Sequence, residues 1–224
     1  MRRISRWRRV DRVPFDAGGF LLYIGAALLL AVTPGPGIMY VAARSLSGGR
    51  GEGVASSLGT GIGGFIHVAA GALGLSALLL ASAEAFTLVK LAGAAYLVWI
   101  GLRTIREAGR PLDLAIPPAS GGNRAFREGI LVEALNPKTA AFFLAFIPQF
   151  LDPAKGDPVA GFVVLGAVSV LLNTGVDLVV AIGAGAARAG MTRRARLVIR
   201  LRQGCGALLC TLGVMLALVR RPAH

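Results

Sequence analysis

The chain has 224 residues, of which 55% are hydrophobic and 16% are charged. Its mean hydropathy of +0.69 is too high for a soluble domain of this length and indicates a membrane protein. Lys and Arg outnumber Asp and Glu by 24 to 11, but the basic residues lie in short clusters between apolar runs. This distribution is typical of membrane topology signals, so nucleic acid is not an expected partner.

Six apolar runs follow a basic amino-terminal extension, residues 1–16. No small-residue cleavage site closes the first run, so we interpret it as an uncleaved span rather than a signal peptide. Since a helix needs about 20 apolar residues to cross a bilayer, the sequence predicts an all-α polytopic inner-membrane protein with six transmembrane helices. The predicted spans are 17–43, 54–81, 85–102, 129–151, 159–187 and the short run 204–219.

The polar connection 103–128 divides the chain into two three-helix halves, 17–102 and 129–219, followed by a tail at 220–224. Two halves with an odd number of spans insert in opposite orientations, so we expect a 3+3 inverted repeat of the kind that many transporters use. The first span of each half contains prolines, which supports this expectation.

Basic residues outside the spans lie mostly in the connections after the first, third and fifth spans. The positive-inside rule then places both termini outside and the connections 103–128 and 188–203 in the cytoplasm. The arginine-rich first twelve residues oppose this topology. Either the start codon is placed too early, or one of the first three segments does not fully cross.

The segment Thr33-Pro34-Gly35-Pro36-Gly37 interrupts the first apolar run. Its prolines remove backbone donors, and unsatisfied backbone at membrane depth is tolerated only inside protein or along a watery cavity. The helix that restarts near Gly37 can then direct free N–H groups at a substrate carboxylate. The alternative is a structural kink without a ligand.

A second polar cluster, Glu133, Asn136, Pro137 and Lys138, interrupts the fourth run. Glu133 and Asn136 share a helix face, and Pro137 frees the carbonyl group of Glu133, so the cluster can hold an ammonium group. We expect Lys138 to pair with Glu133 or with a carboxylate of another span. Alternatively, the cluster lies shallow, at the membrane interface.

Asp177 is the one acidic residue in the fifth run, and Asn173 precedes it by one turn. Burial disfavours an ionised carboxylate, so Asp177 can exchange a proton for substrate, or else form a structural interhelical bond. Gly59 and Gly63 form a GxxxG pair suited to close helix packing, and we expect His67 to be an interhelical hydrogen-bonding residue rather than a metal ligand.

These motifs resemble a known family. Four segments are similar, in this order, to the LysE/RhtB amino-acid exporters: Thr33-Pro34-Gly35-Pro36, the run GAAYLVWIG at 93–101, Leu135-Asn136-Pro137-Lys138 and the run FFLAFIPQFLDP at 142–153. The resemblance covers about 20–219. It implies proton-driven export of amino acids or their derivatives without an organic cofactor, with Thr33, Pro34, Gly35, Pro36, Asn136, Pro137 and Lys138 as motif residues.

We therefore predict a secondary transporter and not an enzyme, with no metal or other cofactor. Its expected partners are an amino acid, protons and the lipid bilayer, and homodimerisation is left open. The expected transport path contains Thr33, Pro34, Gly35, Pro36, Glu133, Asn136, Pro137, Lys138, Asn173 and Asp177. A metal-ion exporter on a similar scaffold and a membrane-embedded enzyme are the alternatives, and the sequence does not identify the substrate.

Overall fold

A computed structural model describes residues 17–80, 83–110, 117–152, 156–193 and 195–218, and all regular structure within them is helical. The helices are α1 Ala17–Val32, α2 Pro36–Leu80, α3 Ala83–Arg106, α4 Gly122–Ala134, α5 Pro137–Ala141, α6 Pro158–Arg193 and α7 Ala195–Leu218. After α5 the chain continues as a π-helical turn, Phe142–Phe146, and a 3-10 turn, Ile147–Phe150.

Helix α2 folds back on itself at Gly49, whose φ of 77° lies in the region that favours glycine. Residues on the two sides of Gly49 face each other. A Cβ atom on Gly53 would collide with the Ser45 side chain, and one on Gly37 would lie 3.9 Å from Thr60 Cγ2. In a straight helix these pairs would be far apart, so segments 36–48 and 50–80 form an antiparallel hairpin.

Four helical segments of the described chain are long and apolar enough to cross a membrane: Pro36–Gly74, Thr87–Arg106, Pro158–Ala184 and Ile199–Leu218. Because Pro36–Gly74 folds back at Gly49, only its part after Gly49 has the length of a single span. Gly122–Ala134 and Pro137–Phe150 form a pair bent by 42° that can serve as one further span, and Gly18–Val32 is a shorter apolar helix. The prediction of an all-helical polytopic membrane protein is confirmed. The inverted repeat stays a prediction.

The predicted first span, 17–43, is split by residues 33–35, between α1 and α2, and its second part continues to the turn at Gly49. Several other helices are longer than their apolar runs. For example, α3 continues to Arg106 and α4 begins at Gly122, so that the non-helical connection is shorter than the predicted 103–128. Apolar length reports only the part of a helix inside hydrocarbon, and polar helix ends extend beyond it.

Glycines bring the helices into close contact. Helix α2 packs against α4 and α6, whereas α3 packs against α7. A Cβ atom on Gly63 would lie 2.6 Å from the carbonyl oxygen of Ile130, and one on Gly129 would lie 2.7 Å from that of Ser56. These approaches, together with the contact of Gly59 with Phe126, confirm the predicted close packing at the GxxxG pair.

The turn of α2, the end of α3 and the start of α7 lie at one end of the molecule. Glu52 Oε1 accepts hydrogen bonds from the backbone N–H groups of Ser120 and Gly121, at 2.7 and 2.6 Å. Arg202 Nη1 donates to the carbonyl oxygens of Ala108 and Arg110, at 3.0 and 2.8 Å. We call this end, formed by residues 44–53, 103–110, 117–124 and 195–202, the basic face.

We expect the basic face to be cytoplasmic, because it lies in the connections after the first, third and fifth predicted spans, which together hold 13 of the 22 Lys and Arg residues outside the spans. Alkaline phosphatase fused after Ser120 should then be inactive, whereas phosphatase fused after Asp152, which follows the next span, should be active. Enzyme activity normalised to fusion protein level measures both. High activity at Ser120 with low activity at Asp152 would reverse the topology.

Candidate functional site

The two proline breaks lie against each other inside the protein. Lys138 Nζ donates hydrogen bonds to the carbonyl oxygens of Leu30 and Thr33, both at 3.0 Å. In a continuous helix the carbonyl group of Leu30 would accept from the N–H group of residue 34, which is a proline. Lys138, whose exposed fraction is 6%, thus supplies a donor that Pro34 lacks.

Two glycines of the first break allow this close approach. A Cβ atom on Gly35 would lie 3.0 Å from Lys138 Nζ, and one on Gly37 would lie 2.6 Å from Glu133 Oε2. A side chain at Gly37 would therefore displace the carboxylate of Glu133.

Glu133 is the centre of a buried hydrogen-bond network. Its side chain accepts from Asn136 Nδ2 at 2.9 Å and from Thr139 Oγ1 at 2.6 Å. Asn136 Oδ1 in turn accepts from the N–H group of Lys138 at 3.1 Å and so caps α5. Asn136 therefore fixes both the carboxylate and the start of the helix that carries Lys138.

The carbonyl group of Glu133, which Pro137 leaves without its helical donor, has another partner. His67 Nε2 lies 2.7 Å from this oxygen. Because a carbonyl oxygen can only accept, Nε2 carries the hydrogen in this contact. The prediction that His67 forms an interhelical hydrogen bond is confirmed.

Asp177 is completely buried in α6. Its Oδ2 accepts from Thr60 Oγ1 at 2.8 Å, and Asn173 Nδ2 lies at the long distance of 3.5 Å. Its Oδ1 has no hydrogen-bond partner in the described part of the chain. An ionised carboxylate with a bare buried oxygen is costly, so this site favours either a proton or a nearby cation.

A small cavity connects the Asp177 region to Glu133. Its lining includes Leu30, Thr60, Glu133, Thr139 and Asn173, and the volume open to the centre of a water molecule is about 20 Å³. That volume has room for about one water molecule. The cavity is too small for an amino acid in this conformation.

A larger cavity, which we call the vestibule, extends from the proline breaks to the basic face, with a volume of about 510 Å³. This volume is in the range of small-molecule sites, about 300–1,000 Å³. Its inner end is formed by residues of the two proline breaks: Pro34, Gly35, Pro36, Asn136, Pro137 and Lys138. Its walls and mouth are formed by Met39, Tyr96, Trp99, Ile100, Arg103, Thr104, Glu107, Arg110 and Arg202.

The structure thus brings most of the predicted path residues together. Asn173 and Asp177 lie across the small cavity from the other predicted residues. Those residues form one contiguous group: Thr33, Pro34, Gly35, Pro36, Glu133, Asn136, Pro137 and Lys138. One expectation is wrong: Lys138 has no carboxylate within ion-pair distance among the described residues, and it binds carbonyl oxygens instead. Glu133, Asn136 and Lys138 are all buried.

Sequence reasoning missed Thr60 and Thr139, the hydroxyl partners of the two carboxylates. Threonines are ordinary in membrane helices, so neither residue carries a signal in a single sequence.

Sequence reasoning also misses Arg44, because the sequence alone presents it only as a topology charge. Its buried guanidinium contacts Glu128 and donates to Ser120 Oγ at 2.7 Å, and Glu52 Oε2 lies 3.7 Å from Nη1. A usable signal was the spacing of Arg44 and Glu52 around Gly48-Gly49, which is typical of a helical hairpin.

No group of three or more His, Cys, Asp or Glu side chains in the described ranges could hold a metal ion. The polar side chains around the small cavity next to Glu133 mostly carry hydroxyl and amide groups. This composition suits a polar organic solute better than a transition metal.

Two broken helical spans around a buried polar cluster, next to a vestibule that extends to the basic face, are typical of a membrane transport protein. Residues 28–220 match the family described as LysE type translocator. The chain belongs to this family, which consists of transporters and not enzymes, as predicted.

The chain is similar to several curated proteins over most of its length. An uncharacterized membrane protein of Vibrio cholerae serotype O1 is 34% identical over 88% of this chain and 98% of its own. A homoserine/homoserine lactone efflux protein of Salmonella typhimurium is 32% identical over 88% and 95%. A leucine efflux protein of Klebsiella pneumoniae is 24% identical over 67% and 72%. No solved structure matches the chain.

The fit of Gly37 against Glu133 predicts a stability effect. Gly37→Ala should lower the free energy of unfolding by about 1–3 kcal/mol, since the new methyl group displaces a carboxylate bonded to Asn136 and Thr139. Gly25→Ala is the matched control, because nothing lies within 4 Å of its added Cβ atom. Thermal unfolding of the purified variants in detergent measures both, and equal Tm values would contradict the close contact.

Proposed function

We propose that this protein is an inner-membrane secondary transporter that exports amino acids or related small polar metabolites in exchange for protons. The observation that carries the proposal is the meeting of two broken spans at a buried, charged cluster below the vestibule. Broken helices that meet near the membrane centre are a common way to build a transporter binding site. The names of the homoserine/homoserine lactone efflux and leucine efflux relatives support export of amino acids and related metabolites.

The charges of the cluster support exchange. Thr60, the hydrogen-bond partner of Asp177, lines the same small cavity as Glu133, and Glu133 lies next to Lys138 in the cluster. If Asp177, Glu133 and Lys138 are all ionised, they together carry one excess negative charge. A buried excess charge requires compensation, which either a proton or the ammonium group of a substrate can supply. If the proton and the substrate ammonium group compete for the same carboxylates, binding of one is accompanied by release of the other. That competition is the coupling that an antiporter needs.

The different sizes of the two cavities support alternating access. The vestibule is open to the basic face and has room for a small solute, whereas the cavity beyond it is about the size of a water molecule. A solute at the proline breaks would thus be accessible from one face only. With the basic face in the cytoplasm, this conformation is the one in which an exporter loads its substrate.

The helix pairing also agrees with the predicted inverted repeat. The second helix of the first half, in α2, packs against the second helix of the other half, α6. The third helices, α3 and α7, pack against each other in the same way. A two-fold axis in the membrane plane would relate such pairs, and rocking of one repeat against the other would move the opening across the membrane.

An export assay tests the proposed function. Cells that lack their own amino-acid exporters and carry this protein should release an amino acid faster than empty-vector cells when loaded with dipeptides. Chromatography of the medium identifies the amino acid, and Gly25→Ala serves as a control variant with normal export. If release of every amino acid equals that of the vector cells, the proposal is wrong.

Asp177 is the expected proton-coupling residue. Asp177→Asn keeps the size and hydrogen bonding of the side chain but removes its titration. Proton-driven export by reconstituted vesicles should then fall about tenfold or more, whereas exchange of substrate for substrate, which needs no net proton movement, should continue. Asp157→Asn, which changes an exposed carboxylate before α6, is the control and should leave both activities unchanged.

The outcome distinguishes coupling from a structural role. Loss of Asp177 as a merely structural partner of Thr60 would reduce protein yield and both activities in proportion. If Asp177→Asn responds normally to the pH gradient, the coupling role must be assigned elsewhere, and Glu133 is the next candidate.

A further inference from the structure

The ammonium group of Lys138 has capacity for one more partner. It has three N–H donors, and two of them bind the carbonyl oxygens of Leu30 and Thr33. None of the ion pairs formed by the described residues includes it. A cation that is 6% exposed and hydrogen-bonded only to neutral groups can still bind an anion through its third N–H group.

Lys138 is also accessible from the vestibule, since its side chain forms part of the lining together with Pro34 and Gly35. A carboxylate that enters from the basic face can therefore reach this ammonium group without crossing the small cavity. The bond would be charge-assisted and largely shielded from water, and both features strengthen it.

The mouth of the vestibule is basic as well. Among the described residues, Arg103, Arg110 and Arg202 line it with a single carboxylate, Glu107, whose Oε1 already accepts from Arg103 Nε at 3.1 Å. A cavity with an excess of one charge sign attracts ions of the opposite sign and repels ions of its own. A solute with a net positive charge is therefore disfavoured at the mouth.

The wall between mouth and floor offers apolar contact. Met39, Tyr96, Trp99 and Ile100 line this part of the vestibule, where an apolar side chain can pack. The vestibule therefore has a cationic floor and an apolar wall.

We propose that Lys138 binds the carboxylate of the transported solute, and that the vestibule selects zwitterionic or anionic amino acids over cationic amino acids and over derivatives that lack a free carboxylate. This inference rests on the proposed export function and specifies its substrate class. It separates amino acids from their amides and lactones, which keep the ammonium group but lose the carboxylate.

Reconstituted vesicles containing the full-length protein test the inference with matched pairs of solutes. L-leucine is compared with L-leucinamide, and L-homoserine with L-homoserine lactone, while L-lysine tests net charge directly. We expect the amino acid of each pair to be transported roughly tenfold faster or more than its derivative, because a charge-assisted bond is lost, and lysine to be as slow as the derivatives.

Lys138→Gln tests the residue itself. It should slow leucine and homoserine transport by roughly tenfold or more and reduce the preference within each pair. Arg106→Gln is the control, because Arg106 is an exposed cation of α3 outside the vestibule lining, and it should keep the wild-type preference. The Tm of each variant shows whether it is folded.

The outcomes separate the two proposals. Equal transport of acids, derivatives and lysine by the wild-type protein would overturn the inference and leave the export function in place. Transport of none of these solutes, nor of any amino acid found in a mixed load, would overturn the export function and the inference with it. A folded Lys138→Gln variant with unchanged rates and preference would remove Lys138 as the carboxylate site. Wild-type discrimination supports the substrate class even if Lys138→Gln does not fold.

Discussion

The contact of Lys138 with the carbonyl oxygens of Leu30 and Thr33 is the interaction on which the interior of this protein depends. A proline within a membrane helix leaves a carbonyl group without a donor, and a lysine at membrane depth lacks water; each alone would be costly. Together they satisfy one another. The break in the first half and the break in the second half therefore have to meet, and their meeting fixes how the two halves are arranged.

Glycine makes this arrangement sterically possible. Gly35 and Gly37 leave room for Lys138 and Glu133, while Gly63 and Gly129 let α2 and α4 approach within backbone contact. Close approach in turn brings Thr60 of α2 to Asp177 of α6 and His67 to the carbonyl group of Glu133. The buried hydrogen bonds of the site thus depend on small residues that have no chemistry of their own, which is common in membrane helix packing.

The sequence was sufficient for features set by local chemistry. Prolines predicted both breaks, apolar length predicted the helices, and spacing predicted the GxxxG contact. Features set by the approach of distant segments were not predictable. Glu133 is three residues from Asn136 and does bind it, but the partner of Lys138 lies more than a hundred residues away in the first half. Thr60 and Arg44 were missed for the same reason, since their importance arises only from the elements packed against them.

The buried contacts of Arg44 limit how the vestibule can change shape. Arg44 and Glu52 tie the hairpin of α2 to residues 118–121, and Arg44 also binds Glu128 of α4. Removing one partner of such a network is costly. On the other side of the vestibule, Gly101 and Gly206 pack α3 tightly against α7. A movement that closes the vestibule and keeps both sets of contacts must therefore occur between the α2–α4 unit and the α3–α7 pair. One wall of that boundary contains Pro34, Gly35 and Lys138, and the opposite wall contains Tyr96 and Trp99. Such a movement would therefore change the space around a solute bound in the vestibule.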